Sequence, residues 1–295
     1  MGFGIITPMQ TTSSTLRVLA AFAAGMFFSG CYTTAVREPA YDTLIAHRGE
    51  SKDAPENTLP AYQMAVDRGF GFECDVYVSS DKKVFSFHDR NLKRTTGVDM
   101  KCSDASWDEL VSKVDAGAWK GEKWKGVRPA LLSEILALAR DGRKIYVEIK
   151  DTDPAAVAYI RQVFEKQSVA TPKNALFICF YPQMCRELKR QMPEYTVYFL
   201  TTPIDRNAQP PRPKTPGEIV REVRDANADG VDIRFVPEIV TADFVRKVRA
   251  EGLEFHVWTV DELDLTLKAF AAGAQTVTTN CAKKQLDEYN ARSTP

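Results

Sequence analysis

The chain has 295 residues, 44% apolar and 26% charged, the make-up of an ordinary globular protein with room for one large α/β domain or two small ones. Its 39 basic and 39 acidic residues cancel. No global field therefore draws it to nucleic acid or to an anionic membrane surface, and any anion it binds must be held by a local cluster.

The N-terminus stands apart from the rest. Arg17 precedes an uncharged apolar run, Val18 to Phe28, which is too short to span a bilayer and ends in Ser29-Gly30-Cys31. This resembles a bacterial lipoprotein signal: residues 1–30 are a removable leader, Cys31 is the lipidated first residue, and 31–42 form a linker. Phe28 replaces the Leu, Val or Ile usual three positions before the cysteine, and Met9 is an alternative start. The alternatives are plain signal-peptidase cleavage or a buried helix. The lipoprotein reading implies an exported protein, membrane-anchored through Cys31 on the periplasmic or cell-surface side.

From residue 43 strand-like and helix-like runs alternate, which predicts βα units around a parallel sheet. Strands are expected at 43–47, 71–78, 83–88, 144–149, 175–180, 195–200, 230–234, 254–259 and 275–279. Helices are expected at 57–68, 131–140, 154–167, 182–191, 216–227, 241–251 and 261–272. The first carries Asn57 or Thr58 as a cap, Pro60 in its first turn, and an apolar face of Leu59, Tyr62, Ala65 and Val66.

Nine strands are one too many for an eight-stranded barrel. Only Ser-Ser-Asp-Lys-Lys separates Val78 from Val84, far short of a parallel crossover, so 71–78 and 83–88 must form an antiparallel hairpin. The other eight strands then close into a (β/α)8 TIM barrel over 43–289, with an extra β-hairpin and a small insertion after the second strand. Folding the hairpin about Asp81-Lys82 brings His88 roughly opposite Asp75. The insertion, 89–130, is too long for a plain connection and holds Trp107, Trp119 and Trp124. Within it, 104–114 reads as a short helix capped by Asp104 or Ser106.

Five cysteines follow Cys31: Cys74, Cys102, Cys179, Cys185 and Cys281. An odd number argues against a full disulfide framework, and no Cys/His spacing suits zinc. Cys74, Cys179 and Cys281 lie in or at the end of apolar runs and read as buried thiols.

The chemistry gathers at strand ends. In Gly71-Phe-Glu73-Cys-Asp75-Val, alternation puts Glu73 and Asp75 on one face, and Tyr146-Val-Glu148-Ile-Lys150 does the same for Glu148 and Lys150 on the neighbouring barrel strand. Carboxylates this close repel unless a cation or protons neutralise them. Oxygen-only ligands suit Ca²⁺ or Mg²⁺; ion pairing with Arg48 and Lys150 is the plainer alternative. His47 and His88 end two strands at the same rim and fit the acid and the base that phosphodiester cleavage requires. Arg48 offers a planar fork for phosphate oxygens. His256, mid-strand, reads as packing.

Taken together, His47-Arg48-Gly49, Pro55-Glu56-Asn57-Thr58, Glu73-Cys-Asp75, His88-Asp89 followed by Arg94-Thr-Thr, and Asp115-Ala-Gly-Ala-Trp119 resemble the glycerophosphodiester phosphodiesterase family over about residues 43 to 280. The resemblance implies hydrolysis of a glycerophosphodiester to sn-glycerol 3-phosphate and an alcohol, by way of a cyclic phosphate if the glycerol 2-hydroxyl attacks. It implies His47 and His88 as general acid and base, and Glu73, Asp75 and Glu148 as holders of one divalent cation. Arg48 and Lys150 would contact phosphate, Trp258 would flank the glycerol, and the insertion would overhang the cleft. The partner implied is the small-molecule substrate, with no nucleic acid and no obligate protein partner. Departures are Asp81-Lys82-Lys83 at the hairpin tip, Thr279-Asn280 in place of Thr-Asp, and Cys179-Phe180-Tyr181-Pro182 in place of a Ser-Phe pair.

Two other functions compete. A phospholipase D- or C-like hydrolase of lysophospholipid or sphingolipid would need an apolar groove, which the insertion's tryptophans could line. The acids argue against a metal-free phosphatidylinositol-type enzyme. A catalytically silent phosphodiester-binding lipoprotein would have no need of both histidines and all three acids.

Overall fold

The described residues form eleven strands: β1 (Leu44–Ala46), β2 (Gly71–Val78), β3 (Val84–Ser86), β4 (Ile145–Ile149), β5 (Ala175–Cys179), β6 (Val197–Thr201), β7 (Ile204–Asp205), β8 (Arg212–Pro213), β9 (Gly230–Arg234), β10 (Glu254–Trp258) and β11 (Val277–Thr279). The structure is a computed structural model describing residues 1–4 and 36–293, and the fold belongs to the compact unit that begins at Val36. The leader run Val18 to Phe28 and Cys31 lie outside the described residues.

The strand order β1-β11-β10-β9-β6-β5-β4-β2, all parallel, is closed by a β1–β2 pairing. This is the (β/α)8 barrel expected, reached without a ninth barrel strand. β3 pairs antiparallel to β2, with Val76 opposite Ser86 and Val78 opposite Val84. Lys82 takes the left-handed conformation at the tip (φ 67°), and Ser79 N donates to the Lys83 carbonyl at 2.8 Å to close the turn. Phe87 N donates to the Asp75 carbonyl at 3.1 Å, so the hairpin does carry His88 back beside Asp75.

Two apolar layers result from strand alternation. Odd and even residues of each strand face either the barrel interior or the surrounding helices. Ile45, Tyr146, Leu176, Ile178, Tyr198 and Leu200 fill the interior, with Trp258 packed above them. The outer layer joins the other strand faces to the helices Leu59–Asp67, Ala156–Glu165, Pro182–Gln191, Pro216–Asp225, Ala242–Arg249 and Leu263–Ala272. A third cluster, including Tyr77, Phe85, Phe87, Leu92 and Leu110, lies beneath the hairpin and gives the insertion its own small core. Its helix, Trp107–Lys113, starts at a capping box between Ser106 and Glu109; Ser106 is the cap, not Asp104.

Some elements differ from the expectation. The helix expected at 131–140 is helical only over Leu132–Leu136, because the chain tightens to i→i−3 bonds at Leu138 and Ala139 before the left-handed Gly142. A final helix, Ala282–Ser293, was not legible in advance: it buries only Ala282, Gln285 and Leu286 and so lacks an apolar stripe. The ribbon β7–β8 is equally unannounced, at two residues per arm. Among the described residues no helix is long and apolar enough to cross a membrane. All five cysteines from Cys74 onward are buried and unpaired.

Candidate active site

The site is built where β1, β2 and β4 end. His47 follows β1, its amide donating to the Thr279 carbonyl at 2.8 Å. Arg48 (φ 55°) and Gly49 (φ 77°) then turn the chain sharply through two left-handed residues. Glu73 stabilises that turn, its Oε2 accepting from Arg48 N at 2.9 Å and its carbonyl from Gly49 N at 3.2 Å. A Cβ at Gly49 would lie 2.5 Å from the Ala61 carbonyl carbon, so only glycine lets the loop rest on the first helix.

The β2–β4 register sets Asp75 beside Glu148. Carboxylate oxygens of Glu73, Asp75 and Glu148 lie within 4.8 Å of one another, and all three residues are buried. The ion pairs considered as an alternative are present too: Lys150 Nζ lies 2.7 Å from Glu148 and 3.4 Å from Asp75, and Arg48 Nε lies 3.4 Å from Asp75. They do not saturate the cluster. Glu73 Oε1 and Asp75 Oδ1 have no hydrogen-bond partner among the described residues. Burial, followed by the repulsion of Asp75 and Glu148, pushes Glu73 well above the ordinary carboxylate range. Burial and Asp75 raise Glu148 to about 7. Burial also opposes ionisation of Asp75, but Lys150 and Arg48 together outweigh it and hold Asp75 below its ordinary value. Asp75 is thus charge-matched, whereas Lys150 beside Glu148 and Arg48 near Glu73 do not offset the burial and mutual repulsion of those two acids. Orphaned oxygens and uncompensated acids are what a hard divalent cation would satisfy.

Each histidine of the rim is anchored through Nδ1. His47 Nδ1 is 2.7 Å from Asn280 Oδ1, and His88 Nδ1 is 2.5 Å from Asp89 Oδ1. Asn280 is itself oriented by Asp261, whose Oδ2 accepts from Asn280 Nδ2 at 2.7 Å, so its oxygen must face His47. His47 Nδ1 is then the donor, which leaves Nε2 as a lone pair in the neutral ring. Burial and the Arg48 charge lower the His47 pKa to about 4, and burial likewise lowers that of His88. The site stores no proton on His47 near neutrality.

His47, Arg48, Glu73, His88, Glu148, Lys150 and Trp258 all line one cavity of about 200 Å³. Asp75 lies directly behind them, fully buried. A model of the glycerophosphoryl diester phosphodiesterase family matches residues 47–284. The chain belongs to that family. A glycerophosphodiester phosphodiesterase of Caldanaerobacter subterraneus is 39% identical over 99 residues, covering 33% of this chain and 40% of that one. A lysophospholipase D of Homo sapiens is 31% identical over 128 residues, 41% of this chain and 40% of that one. The chain thus covers less than half the length of these curated relatives. Among solved structures, an Oleispira antarctica phosphodiesterase in complex with its product sn-glycerol-3-phosphate superposes with a TM-score of 0.72 at 25% identity, covering 84% of this chain and 96% of that one. A Thermotoga maritima glycerophosphodiester phosphodiesterase shares the fold at TM-score 0.65 and 24% identity, covering 83% and 97%.

Several residues of this family member matter more than their sequence context suggested. Of the two cap candidates, Asn57 and Thr58, Thr58 occupies the cap position, and Asn57 is a left-handed residue (φ 58°) turned into the site. Its Nδ2 donates to Asp75 Oδ2 at 2.7 Å, and its Oδ1 accepts from Tyr62 at 2.8 Å, Ser86 at 3.1 Å and Asp75 N at 3.1 Å. Asn57→Ala strands these buried groups and should lower unfolding stability by about 2 kcal/mol, read from the urea midpoint. Glu56 ties Arg48 (2.7 Å) to Arg94 (2.6 Å), and Arg94 continues to Asp89 (2.6 Å), so both histidine loops hang on one ionic chain.

The insertion's tryptophans do not line the cavity; Phe180 and Trp258 provide its aromatic wall, their rings edge to face at 5.6 Å. The insertion instead reaches the loop after His47, with Lys120 Nζ donating to the Ser51 carbonyl at 2.7 Å. His256 packs in the barrel interior, stacked on Tyr198 at 4.2 Å.

The acid cluster gives a pH signature that needs no assay of turnover. Glu73 and Glu148 have folded pKa values above their ordinary 4.5. Without a cation these two acids retain protons in the folded chain that the unfolded chain has lost, so their contribution to stability falls as pH rises from about 4.5 through 7, while the lowered pKa of His47 contributes the opposite trend between about 4 and 6.5. A cation bound by these carboxylates would replace those protons. The rise in Tm on adding Ca²⁺ or Mg²⁺ should grow between about pH 5 and pH 8; a shift independent of pH would contradict this.

Proposed function

We propose that the protein hydrolyses glycerophosphodiesters to sn-glycerol 3-phosphate and an alcohol, with one hard divalent cation, Ca²⁺ or Mg²⁺, held by Glu73, Asp75 and Glu148. One observation carries this reading: two histidines anchored through Nδ1 face the same small cavity as Glu73 and Glu148, with Asp75 behind them, and Glu73 Oε1 and Asp75 Oδ1 have no hydrogen-bond partner among the described residues. The product named for the Oleispira relative supports the same chemistry. When bound, the cation supplies Lewis-acid neutralisation of the phosphate's negative charge.

The protein's own groups do the rest. Arg48 and Lys150, both at the cavity wall, bind the non-bridging phosphate oxygens. His47 Nε2, a lone pair by virtue of Asn280, removes the proton from the attacking hydroxyl, supplied by water or by the glycerol itself. His88 delivers a proton to the departing alkoxide, and the Asp89 carboxylate behind it stabilises the charged ring until transfer. Trp258 and Phe180 pack against the glycerol carbons and keep water from that end of the cleft.

Turnover of glycerophosphocholine should exceed that of lysophosphatidylcholine, because a cavity of about 200 Å³ holds a glycerol phosphate but no acyl chain. Assaying both substrates with and without EDTA separates the competing readings. Preference for the lysolipid would assign a phospholipase, and binding without turnover would assign a silent receptor.

A further inference from the structure

Below the catalytic rim lies an acid that neither the cation nor the histidines use. Asp232 is the third residue of β9, 1% exposed, with Leu200 of β6 and His256 of β10 beside it in register. It lines the same cavity as Glu148 and Trp258. Neither of its carboxyl oxygens has a hydrogen-bond partner among the described residues.

The polar groups around it are otherwise engaged. His256 Nδ1 bonds Thr276 at 2.7 Å and its Nε2 meets Glu254 at 3.4 Å. Tyr146 OH reaches Thr276 at 3.1 Å, and Tyr198 OH donates to Glu254. Trp258 Nε1 donates to the backbone carbonyl of Asp232 at 3.1 Å, not to its carboxyl. Leaving both oxygens of a buried acid unsatisfied is costly, and such groups persist where a ligand completes them.

Its state narrows the ligand. A carboxyl this buried, with no hydrogen-bond partner at either oxygen, is costly to ionise, and a protonated carboxyl both donates and accepts, as a hydroxyl does. A cationic headgroup would instead call for an ionised acid. The apolar walls here, Ile178, Leu200, Phe180 and Trp258, suit the carbon face of a short polyol.

We propose that Asp232 hydrogen-bonds a free hydroxyl of the substrate's glycerol moiety and so selects glycerol phosphodiesters over those of a diol lacking that hydroxyl. This rests on the reading of the cleft as a glycerophosphodiester site. A buried group built to bond a hydroxyl discriminates strongly against an analogue without it.

The test compares glycerophosphocholine with its 1-deoxy analogue, the phosphocholine ester of 1,2-propanediol, which keeps the 2-hydroxyl. Wild type should favour glycerol in kcat/KM by about a hundredfold. Asp232→Leu should collapse that preference to about threefold or less, chiefly through KM for the glycerol substrate, and Asp232→Asn, still a donor and an acceptor, should restore most of it. Tm of Asp232→Leu should equal or exceed that of wild type, since an unsatisfied buried acid is gone. An unchanged preference in Asp232→Leu overturns the proposal, as does a lowered Tm with equal losses on both substrates, which would make the residue structural. Calorimetric binding of glycerol 3-phosphate against 1,2-propanediol phosphate reads the same preference without turnover. Wild type that binds selectively but hydrolyses neither ester would overturn the phosphodiesterase reading alone; wild type that binds both equally would overturn this one.

Discussion

Replacing either His47 or His88 by alanine should lower kcat by about a hundredfold or more, the usual scale for losing a general acid or base. Both side chains are partly exposed at the cleft, at 17% and 31%, so neither loss should unfold the barrel. The two variants should differ in one respect. His88, backed by Asp89, is assigned to protonating the leaving alkoxide, and a p-nitrophenyl ester does not need that proton. His88→Ala should therefore recover most of its activity on the p-nitrophenyl ester, whereas His47→Ala should remain impaired on both substrates. A deficit confined to KM in either variant would move that histidine from catalysis to binding.

Removing the cation should have an effect at least as large. With Glu73 and Glu148 both pushed up in pKa and Glu73 Oε1 without a partner, the acids without a cation take up protons and the site offers the phosphate no Lewis acid. EDTA should reduce turnover by about a thousandfold or more, and Ca²⁺ or Mg²⁺ should restore it. Glu73→Gln should act similarly and resist rescue, because it removes a ligand and leaves the turn at Arg48 intact. Full activity in excess EDTA, or tight stoichiometric zinc, would remove the cation from the account.

The parts of this site that were legible in the sequence obey short-range rules. Period-two alternation alone placed Glu73 and Asp75 on one face and Glu148 on the next strand, and five residues between Val78 and Val84 forced the hairpin that returns His88. What stayed hidden depends on distant partners. A capping role explained Asn57 locally, so nothing pointed to Asp75, 18 residues further on. Asn280, legible only as a departure from Thr-Asp, anchors His47 across 233 residues of chain. Asp232 was open to the same alternation rule, since Val231 and Ile233 pack outward against the helices and leave the acid facing in. The tryptophans of the insertion misled because aromatic content says nothing of which side a loop's own core occupies; Trp107 packs into that core, away from the cleft.

The central claim is that one cleft, with His47 and His88 over a carboxylate-bound cation, cleaves the bond between phosphorus and the alcohol headgroup. Phosphorus NMR of glycerophosphocholine incubated with the protein and Mg²⁺ or Ca²⁺ reads this directly. The account predicts that the diester signal gives way to sn-glycerol 3-phosphate, and that it persists in His47→Ala and in EDTA. Appearance of phosphocholine, or an unchanged diester with either cation present, would contradict it.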